Sequence, residues 1–309
     1  MSAIVTRGLR KTFNGVPAVD GIDLDVPAGS VYGFLGPNGS GKTTTTRMLL
    51  GLIRPTGGHI EVLGSRMPDH ARTVLPRVGA LVEGPAFYPF LTGSRNLSRF
   101  DAAEGSARAT RPARIASALD RVGLTVAAGK RYRQYSLGMK QRLALAAALL
   151  RPRELIVLDE PTNGLDPQGT REVRELIRGL AADGTTVFLS SHLLGEVEQG
   201  CTHAAVLSRG KILDQGPLDS LVGASTQTAQ ITVSDPAAAR ALLARLPGVG
   251  RVTADRDRNV LLVELPAARP EDCNRALVEG GVDVGELLIL RTSLEDRFVA
   301  LTGEHFDVD

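Results

Sequence analysis

One short run constrains the fold more than any other part of the sequence: the eight residues Gly36 to Thr43, which read GPNGSGKT. They match the pattern G-x-x-x-x-G-K-[ST], a loop whose backbone amides surround a phosphate. An apolar segment that favours a strand, Ser30 to Leu35, precedes the loop, and a segment compatible with a helix, Lys42 to Leu52, follows it. Glycines let the backbone approach a phosphate closely, and the positive end of a helix attracts the anion. The sequence therefore predicts a strand–loop–helix unit that binds a nucleotide phosphate.

A phosphate loop also needs a carboxylate for Mg²⁺ and a group that positions water. The segment Leu155 to Leu158 is apolar and predicts a buried strand, which Asp159 and Glu160 follow directly. Neighbouring side chains of a strand point to opposite faces, but a turn at Pro161 allows both acids to converge on one site. Asp159 is then predicted to hold Mg²⁺ and Glu160 to polarise the attacking water. A strand that merely ends in solvated acids is the alternative.

Composition and charge limit the class of protein. The 309 residues suggest one or two domains, and a net charge of +2 argues against nucleic acid as the main partner. The two cysteines, Cys201 and Cys273, lie far apart in sequence and fit a reducing compartment. The N-terminus lacks the apolar stretch of a signal peptide, and no apolar run reaches the roughly 20 residues that span a bilayer. We expect a cytoplasmic protein that meets the inner face of the cell membrane only peripherally.

Apolar segments alternate between strand-like and helix-like patterns over about residues 1–220, which predicts an α/β fold with a parallel-rich sheet. Strands are predicted at Ile4–Thr6, Val19–Val26, Gly58–Leu63, Arg77–Val82, Thr186–Ser190 and Ala204–Leu207. Helices are predicted at Ala113–Val122, Leu137–Leu150 and Pro167–Ala181. After a small, polar linker, the pattern reads βαββαβ, which predicts a small ferredoxin-like module. We expect an ATP-binding domain at residues 1–222 and an accessory α+β domain at residues 228–309.

Several further motifs follow in a fixed order, and with them the chain resembles the ATP-binding subunit of an ABC (ATP-binding-cassette) transporter. Gly36 to Thr43 resembles the Walker A loop, and Ile156 to Glu160 resembles the Walker B strand with its glutamate. The run Tyr135 to Arg142, which reads YSLGMKQR, resembles the signature segment and is the most specific of these motifs. Asn163 to Asp166 resembles the D-loop, and Ser190-Ser191-His192 resembles the switch histidine. The resemblance covers about residues 2–220 and implies a P-loop core with a helical signature subdomain.

The resemblance also implies site residues. It assigns nucleotide binding to Phe13, Gly36, Pro37, Asn38, Gly39, Ser40, Gly41, Lys42, Thr43 and Thr44, with Phe13 stacked on adenine. It assigns contact with the nucleotide of a partner subunit to the signature residues Ser136, Leu137, Gly138 and Met139. It places Asp166 in the D-loop. It assigns catalysis to Glu160 and His192, and Mg²⁺ to Thr43, Glu83 and Asp159. Ser136 also fits an ordinary helix N-cap, since a cap and an anion site share one geometry.

The implied enzyme is an ATPase that uses ATP and Mg²⁺. Its implied partners are membrane-spanning permease subunits and a second ATP-binding subunit, most simply another copy of this chain. ATP then favours the closed pair, and hydrolysis reopens it. The segment Glu83 to Asn96, rich in apolar residues, is where such a subunit receives a short helix of the permease. A local mini-core under a loop is the alternative for this segment.

Two residues depart from the family pattern. Glu83 stands where glutamine is usual, which resembles a subset of lantibiotic and bacitracin-type exporters, and we expect Glu83→Gln to alter metal preference or coupling. Leu137 replaces the first glycine of the usual signature pair, while Gly138 is kept. The function predicted here is ATP-driven export of a drug, antibiotic or peptide. The alternative is a soluble ATPase switch of the same family that is not coupled to transport.

Overall fold

The computed structural model describes residues 1–82, 87–105, 107–223, 227–255, 259–290 and 293–302. The chain divides after Pro217 into two compact units, each with sheets of its own. The helix at 218–223 groups with the second unit. The predicted domain bounds, residues 1–222 and 228–309, stay a prediction. Over the described ranges, no helix combines the length and the apolar character that crossing a bilayer requires.

The elements of the first unit are given in chain order. They are β1 (Ser2–Phe13), β2 (Val16–Pro27), β3 (Val31–Leu35), α1 (Lys42–Leu49), β4 (Gly57–Val62), β5 (Ser65–Arg66), α2 (Ala71–Val74), β6 (Val78–Leu81), α3 (Gly93–Ala103), α4 (Arg111–Arg121), α5 (Leu137–Ala148), β7 (Leu155–Asp159), α6 (Pro167–Ala182), β8 (Thr186–Ser191), α7 (Leu194–Gly200), β9 (His203–Ser208) and β10 (Lys211–Pro217). Single 3-10 turns lie at Leu75–Arg77, Arg108–Thr110 and Tyr132–Gln134.

The N-terminal strands form an antiparallel sheet in the order β2-β1-β4-β5. Asn14 and Gly15 join β1 to β2, and both have positive φ, at 48° and 83°. An Asn-Gly pair with two positive φ values makes the two-residue turn whose twist suits a hairpin. The predicted strand at Ile4–Thr6 was therefore too short, because this hairpin extends β1 over twelve residues.

A six-stranded sheet of the described chain carries the motifs, in the order β10-β9-β3-β8-β7-β6. All of its strands run parallel except the edge strand β10, which pairs antiparallel with β9. β3 lies between β9 and β8, and β7 lies on the other side of β8. The loop after β3, the acids after β7 and the histidine after β8 therefore meet at one edge, since parallel strands end together. This arrangement confirms the predicted α/β fold with its parallel-rich sheet.

The helical region differs from the prediction in extent. α4 and α5 lie within two residues of their predicted bounds, but α3 was missed, although Thr92 caps it by accepting a hydrogen bond from the Arg95 amide. α1 ends at Leu49 rather than Leu52, because Gly51 takes a φ of 68° and breaks the helix. α2, α7 and β10 are short and were also missed.

The second unit forms one four-stranded antiparallel sheet within its described part, in the order β12-β13-β11-β14. Its elements are α8 (Leu218–Gly223), β11 (Gln227–Val233), α9 (Pro236–Leu243), β12 (Val252–Asp255), β13 (Val260–Leu265), α10 (Pro270–Glu279), β14 (Val284–Leu290) and α11 (Leu294–Thr302). The βαββαβ order and this strand order make a ferredoxin-like module, as predicted. Its core is apolar, with Ile231, Leu243 and Leu261 fully buried.

Candidate functional site

The loop from Gly36 to Thr43 connects the fully buried strand β3 to α1. Gly41 has a φ of 104°, and a Cβ built there would stand 2.5 Å from the carbonyl oxygen of Ala18. A Cβ at Gly36 would stand 2.4 Å from Ser40 Oγ and 2.7 Å from the carbonyl oxygen of Leu207. Neither position accepts a larger residue without rearrangement, so both glycines are required for this loop to lie close against the sheet.

Lys42 places a buried positive charge at the floor of the loop. Its side chain is 6% exposed, and its Nζ donates to the carbonyl oxygens of Gly36 at 2.7 Å and Pro37 at 3.3 Å. Glu160 Oε1 lies 3.4 Å from the same Nζ. An ammonium taken out of water needs paired charge, and an anionic phosphate provides it as a carboxylate does.

The two acids at the end of β7, Asp159 as its last residue and Glu160 just after it, point to different partners in the same region. Asp159 Oδ1 accepts a hydrogen bond from Ser190 Oγ. Glu160 has a φ of 48°, and its amide donates to the carbonyl oxygen and to the Oγ of Ser190, both at 3.2 Å. This left-handed residue turns the chain before Pro161 and sends the Glu160 side chain towards Lys42. The two acids therefore are not merely solvated strand-end residues.

His192 lies beside the same glutamate. Its Nδ1 is 2.7 Å from Glu160 Oε2, and its amide donates to that oxygen at 3.4 Å. Because a carboxylate only accepts, Nδ1 carries the proton in this contact. Glu196 holds the surrounding turns, since it accepts hydrogen bonds from Thr162 Oγ1 and, at 3.5 Å, from Ser191 Oγ. Glu160, Lys42 and His192 thus form one connected polar group.

These groups border a cleft of about 530 Å³. Of the predicted site residues, Phe13, Asn38, Gly39, Gly41, Lys42, Thr43, Thr44, Glu160 and His192 line it. Gly36, Pro37, Ser40 and Asp159 are not among the lining residues, and Ser40 is buried behind the loop at 2% exposure. Ala18 and Asn163 line the cleft without having been predicted as site residues. Asn163 lies only three residues after Glu160, and this proximity in sequence could have indicated that it lines the cleft.

Phe13 stands at the end of β1 with its ring 47% exposed. Lys11 Nζ lies 5.0 Å from the centre of that ring and donates to the carbonyl oxygen of Arg54 at 2.8 Å. A cation near an aromatic ring is attracted to its π face. Phe13 is therefore a half-exposed aromatic surface at the border of the cleft, which suits a flat ligand ring.

The predicted signature residues lie at the start of α5 and are not among the residues that line this cleft. Ser136 is the N-cap, and its Oγ accepts from the Met139 amide at 3.3 Å. Leu137 is 57% exposed, and its Cδ2 lies 2.9 Å from where a Cβ of Gly164 would be. Asp166 caps α6 in the same way, because its Oδ1 accepts from the Gly169 amide at 3.0 Å. Ser136 thus has the predicted cap geometry, and its amides form an exposed helix N-terminus.

The oxygen donors at the site suit Mg²⁺. Mg²⁺ takes one or two protein oxygens and completes its shell with phosphates and water. The Thr43 hydroxyl and the Asp159 carboxylate are donors of that kind, and the described residues contain no cluster of three or more metal-ligating side chains. The third predicted ligand, Glu83, lies outside the described residues, so its role stays a prediction.

The apolar segment near residue 90 divides into two parts. Phe87 is 7% exposed, and its ring lies 5.2 Å from that of Phe100 and 5.1 Å from that of Tyr132. Tyr88 and Phe90 are 43% and 63% exposed and lie against each other. Phe87 therefore belongs to a mini-core, and the next aromatics form a small surface patch, while the docking of a permease helix stays a prediction.

Comparison with known proteins identifies similar chains. The family described as "ABC transporter" matches residues 19–163. The bacitracin transport ATP-binding protein BcrA of Bacillus licheniformis is 40% identical over 305 residues, which cover 98% of each chain. The daunorubicin/doxorubicin resistance ATP-binding protein DrrA of Streptomyces peucetius is 37% identical over 99% of this chain and 94% of its own.

Solved structures support the fold. An ATP-binding subunit of an ABC transporter is 27% identical, and the match covers 72% of this chain and 93% of its own, with a TM-score of 0.65. A dimeric ATP-binding cassette with bound ADP and phosphate has a TM-score of 0.64 at 23% identity, covering 70% of this chain and 98% of its own. At that identity the second likeness is one of fold alone.

Proposed function

This chain belongs to the family of ATP-binding subunits of ABC transporters, and we propose that it powers the export of a drug, an antibiotic or a peptide through separate membrane-spanning subunits. Members of the family are ATPases. The observation that carries the export proposal is the full-length similarity to a bacitracin transport subunit, which extends over both units of the chain. The similar daunorubicin/doxorubicin resistance subunit supports the same direction of transport.

The proposed chemistry follows from the polar group at the sheet edge. Lys42 and the amides of the loop bind the β- and γ-phosphates, and Phe13 stacks on adenine. Glu160 accepts a proton from the attacking water, and His192 keeps the Glu160 carboxylate aligned with the γ-phosphate. Thr43 and Asp159 hold Mg²⁺, which when bound neutralises charge on the phosphate oxygens. The side chains thus divide into those that bind, those that orient and one that takes a proton.

We further propose that two copies of the chain close around two nucleotides. Ser136 caps α5 at an exposed N-terminus, where the backbone amides and the helix dipole favour an anion. A second phosphate-binding surface on the same chain, formed by residues that do not line the first cleft, suits the γ-phosphate bound by a partner. Asp166, at the start of α6, belongs to the same contact region between the copies.

The membrane partner is proposed to dock where Tyr88 and Phe90 form their exposed patch. The guanidinium of Arg99 lies 4.5 Å from the centre of the Tyr88 ring and holds it in place. Exposed aromatics of this kind serve as interface anchors. This docking places the chain at the inner face of the cell membrane as a peripheral subunit.

Co-purification tests this function. A tagged chain, expressed together with the polytopic membrane protein encoded nearest to its gene, should retain that protein in detergent. Phe90→Ser should release the membrane protein while leaving ATP hydrolysis by the isolated subunit unchanged. Val126→Ser, at an exposed apolar residue outside the patch, is the control; Val126 is even more exposed than Phe90, at 97% against 63%. Recovery of the chain with ribosomes and without a membrane protein would instead indicate a soluble switch.

A further inference from the structure

The hydroxyl of Ser190 lies between the two acids at the end of β7, Asp159 and Glu160. Ser190 is fully buried on β8, where it is in register with Asp159 on one side and with Phe34 of β3 on the other. Its Oγ donates to Asp159 Oδ1 and accepts from the Glu160 amide. Its carbonyl oxygen accepts from the same amide. One residue therefore contacts both acids, from a strand that also borders the phosphate loop's own strand.

The bond to Asp159 fixes a carboxylate that would otherwise rotate. A hydroxyl that donates to an ionised carboxylate makes a short, strong bond. The serine proton takes one lone-pair site of Oδ1 and leaves the other sites of the carboxylate open to a cation. The hydroxyl therefore sets the plane of the carboxylate and the direction in which those sites point.

The bonds to Glu160 hold an unfavourable backbone. A φ of 48° is rare for a residue other than glycine and persists only where neighbours impose it. The Glu160 amide is tied to Ser190 through two acceptors, and this turn aims the side chain at Lys42 and His192. The neighbouring Ser191 has different partners, since its Oγ accepts from the Leu193 amide and donates to Glu196.

We propose that Ser190 is a positioning residue of the ATPase, which sets the orientation of Asp159 for the cation and of Glu160 for the water through one hydroxyl. The proposal rests on the proposed roles of these two acids. It predicts that removing the hydroxyl affects the metal dependence and the turnover together, while the phosphate loop keeps its own contacts.

Ser190→Ala is the direct test, with a fluorescent ATP analogue as the probe. The half-saturating Mg²⁺ concentration for tight binding of the analogue should rise about tenfold, and kcat should fall about 10- to 100-fold, the range typical for residues that orient metal ligands. Affinity for the analogue in EDTA should stay as in the parent chain. Ser190→Thr keeps the hydroxyl and should restore the Mg²⁺ dependence.

Thr6→Val is the matched control for loss of a buried hydroxyl. Thr6 is also fully buried, and its Oγ1 also makes one donated bond, to the Ile22 carbonyl oxygen at 2.9 Å, and one accepted bond, from the Leu24 amide at 3.0 Å. It lies in the antiparallel sheet rather than between the acids. If Thr6→Val shifted the Mg²⁺ dependence as Ser190→Ala does, a general loss of stability would explain both, and the proposal would be wrong.

Asp159→Asn separates failure of this proposal from failure of the proposed site. If Asp159→Asn removes the Mg²⁺ dependence of binding and Ser190→Ala leaves it unchanged, only the role of Ser190 is refuted. If Asp159→Asn also leaves it unchanged, the metal site itself is wrong, and the Ser190 proposal falls with it. Ser190→Cys keeps the volume with a weaker donor and should show a smaller shift of the same sign.

Discussion

The two units of this protein bury different kinds of side chain. In the described chain, every buried polar or charged side chain belongs to the first unit, among them Lys42, Asp101 and Ser190. The second unit has a core of aliphatic residues and Cys273. Burying a polar group costs free energy unless it is hydrogen-bonded, so a core that needs only to be stable avoids it. In the first unit these buried groups include Lys42 and Ser190 at the proposed site, whereas Asp101 is paired with Arg111 and Arg114.

Backbone conformation differs in the same way. Among the described residues with positive φ other than glycine, all lie in the first unit: Asn14, Leu63, Glu160 and Arg209. One of these makes a hairpin turn, and another turns an acid into the proposed site. Strain of this kind concentrates at functional positions, where surrounding contacts maintain it. The second unit has no comparable residue in its described part.

Glu160→Gln should produce the largest effect and tests whether the polar group of the first unit is catalytic. An amide cannot take a proton from water, so hydrolysis should fall by about 10²- to 10⁴-fold while ATP binding persists and a dimer with bound ATP accumulates. Phosphate release measures hydrolysis, and size-exclusion chromatography with ATP detects the dimer. Lys42→Ala should instead weaken ATP binding itself. Glu286→Gln, an exposed glutamate of the second unit, should change neither, and parental turnover by Glu160→Gln would contradict the assignment.

Leu243→Ala tests whether the second unit can be destabilised without a loss of ATP hydrolysis. Leu243 is fully buried in α9, and removing its side chain leaves a cavity that typically costs about 2–5 kcal/mol. Denaturant unfolding should show a less stable second unit, while ATP hydrolysis by the isolated chain stays at the parent level below the new transition. A loss of hydrolysis in the fully folded variant would mean that the two units are not separable in this way.

The sequence predicted the second unit well because its pattern is local. The predicted βαββαβ order is present, and in Val260–Leu265 buried and exposed residues alternate from Leu261 onward, a pattern that identifies a strand over a few positions. In the first unit, the Asn-Gly turn after Phe13 and the Thr92 cap were readable signals that were missed. Both are short local motifs with known geometry.

The site was predictable only as far as its motifs are continuous in sequence. The loop at Gly36–Thr43 and the acids Asp159 and Glu160 stand in recognisable runs. Ser190 lies 31 positions after Asp159 and 30 positions after Glu160 in the sequence. It contacts these acids because β8 pairs with β7. A serine within an apolar strand gives no sign of its partner until the strand order is known. The same holds for Ala18, which reaches Gly41 from another sheet.

The smallest expected effect compares one surface ion pair in each unit. Arg77 donates two hydrogen bonds of 2.6 Å to Glu154, 77 residues away, and this lowers the pKa of Glu154, whereas Arg269 lowers the pKa of Asp272 from only three residues away. A carboxyl with a lowered pKa adds stability above its unfolded pKa, about 4.3 for glutamate, and loses it as the pH falls through the folded value.

Glu154→Gln should therefore lower stability at about pH 7, by less than about 1 kcal/mol because the pair is exposed, and the deficit should shrink towards about pH 3.5. Asp272→Asn should show the same sign with a smaller change, since so local a pair also forms in the unfolded chain. Denaturation midpoints at both pH values measure this, and a Glu154→Gln deficit that does not depend on pH would show that the long-range pair contributes through packing rather than charge.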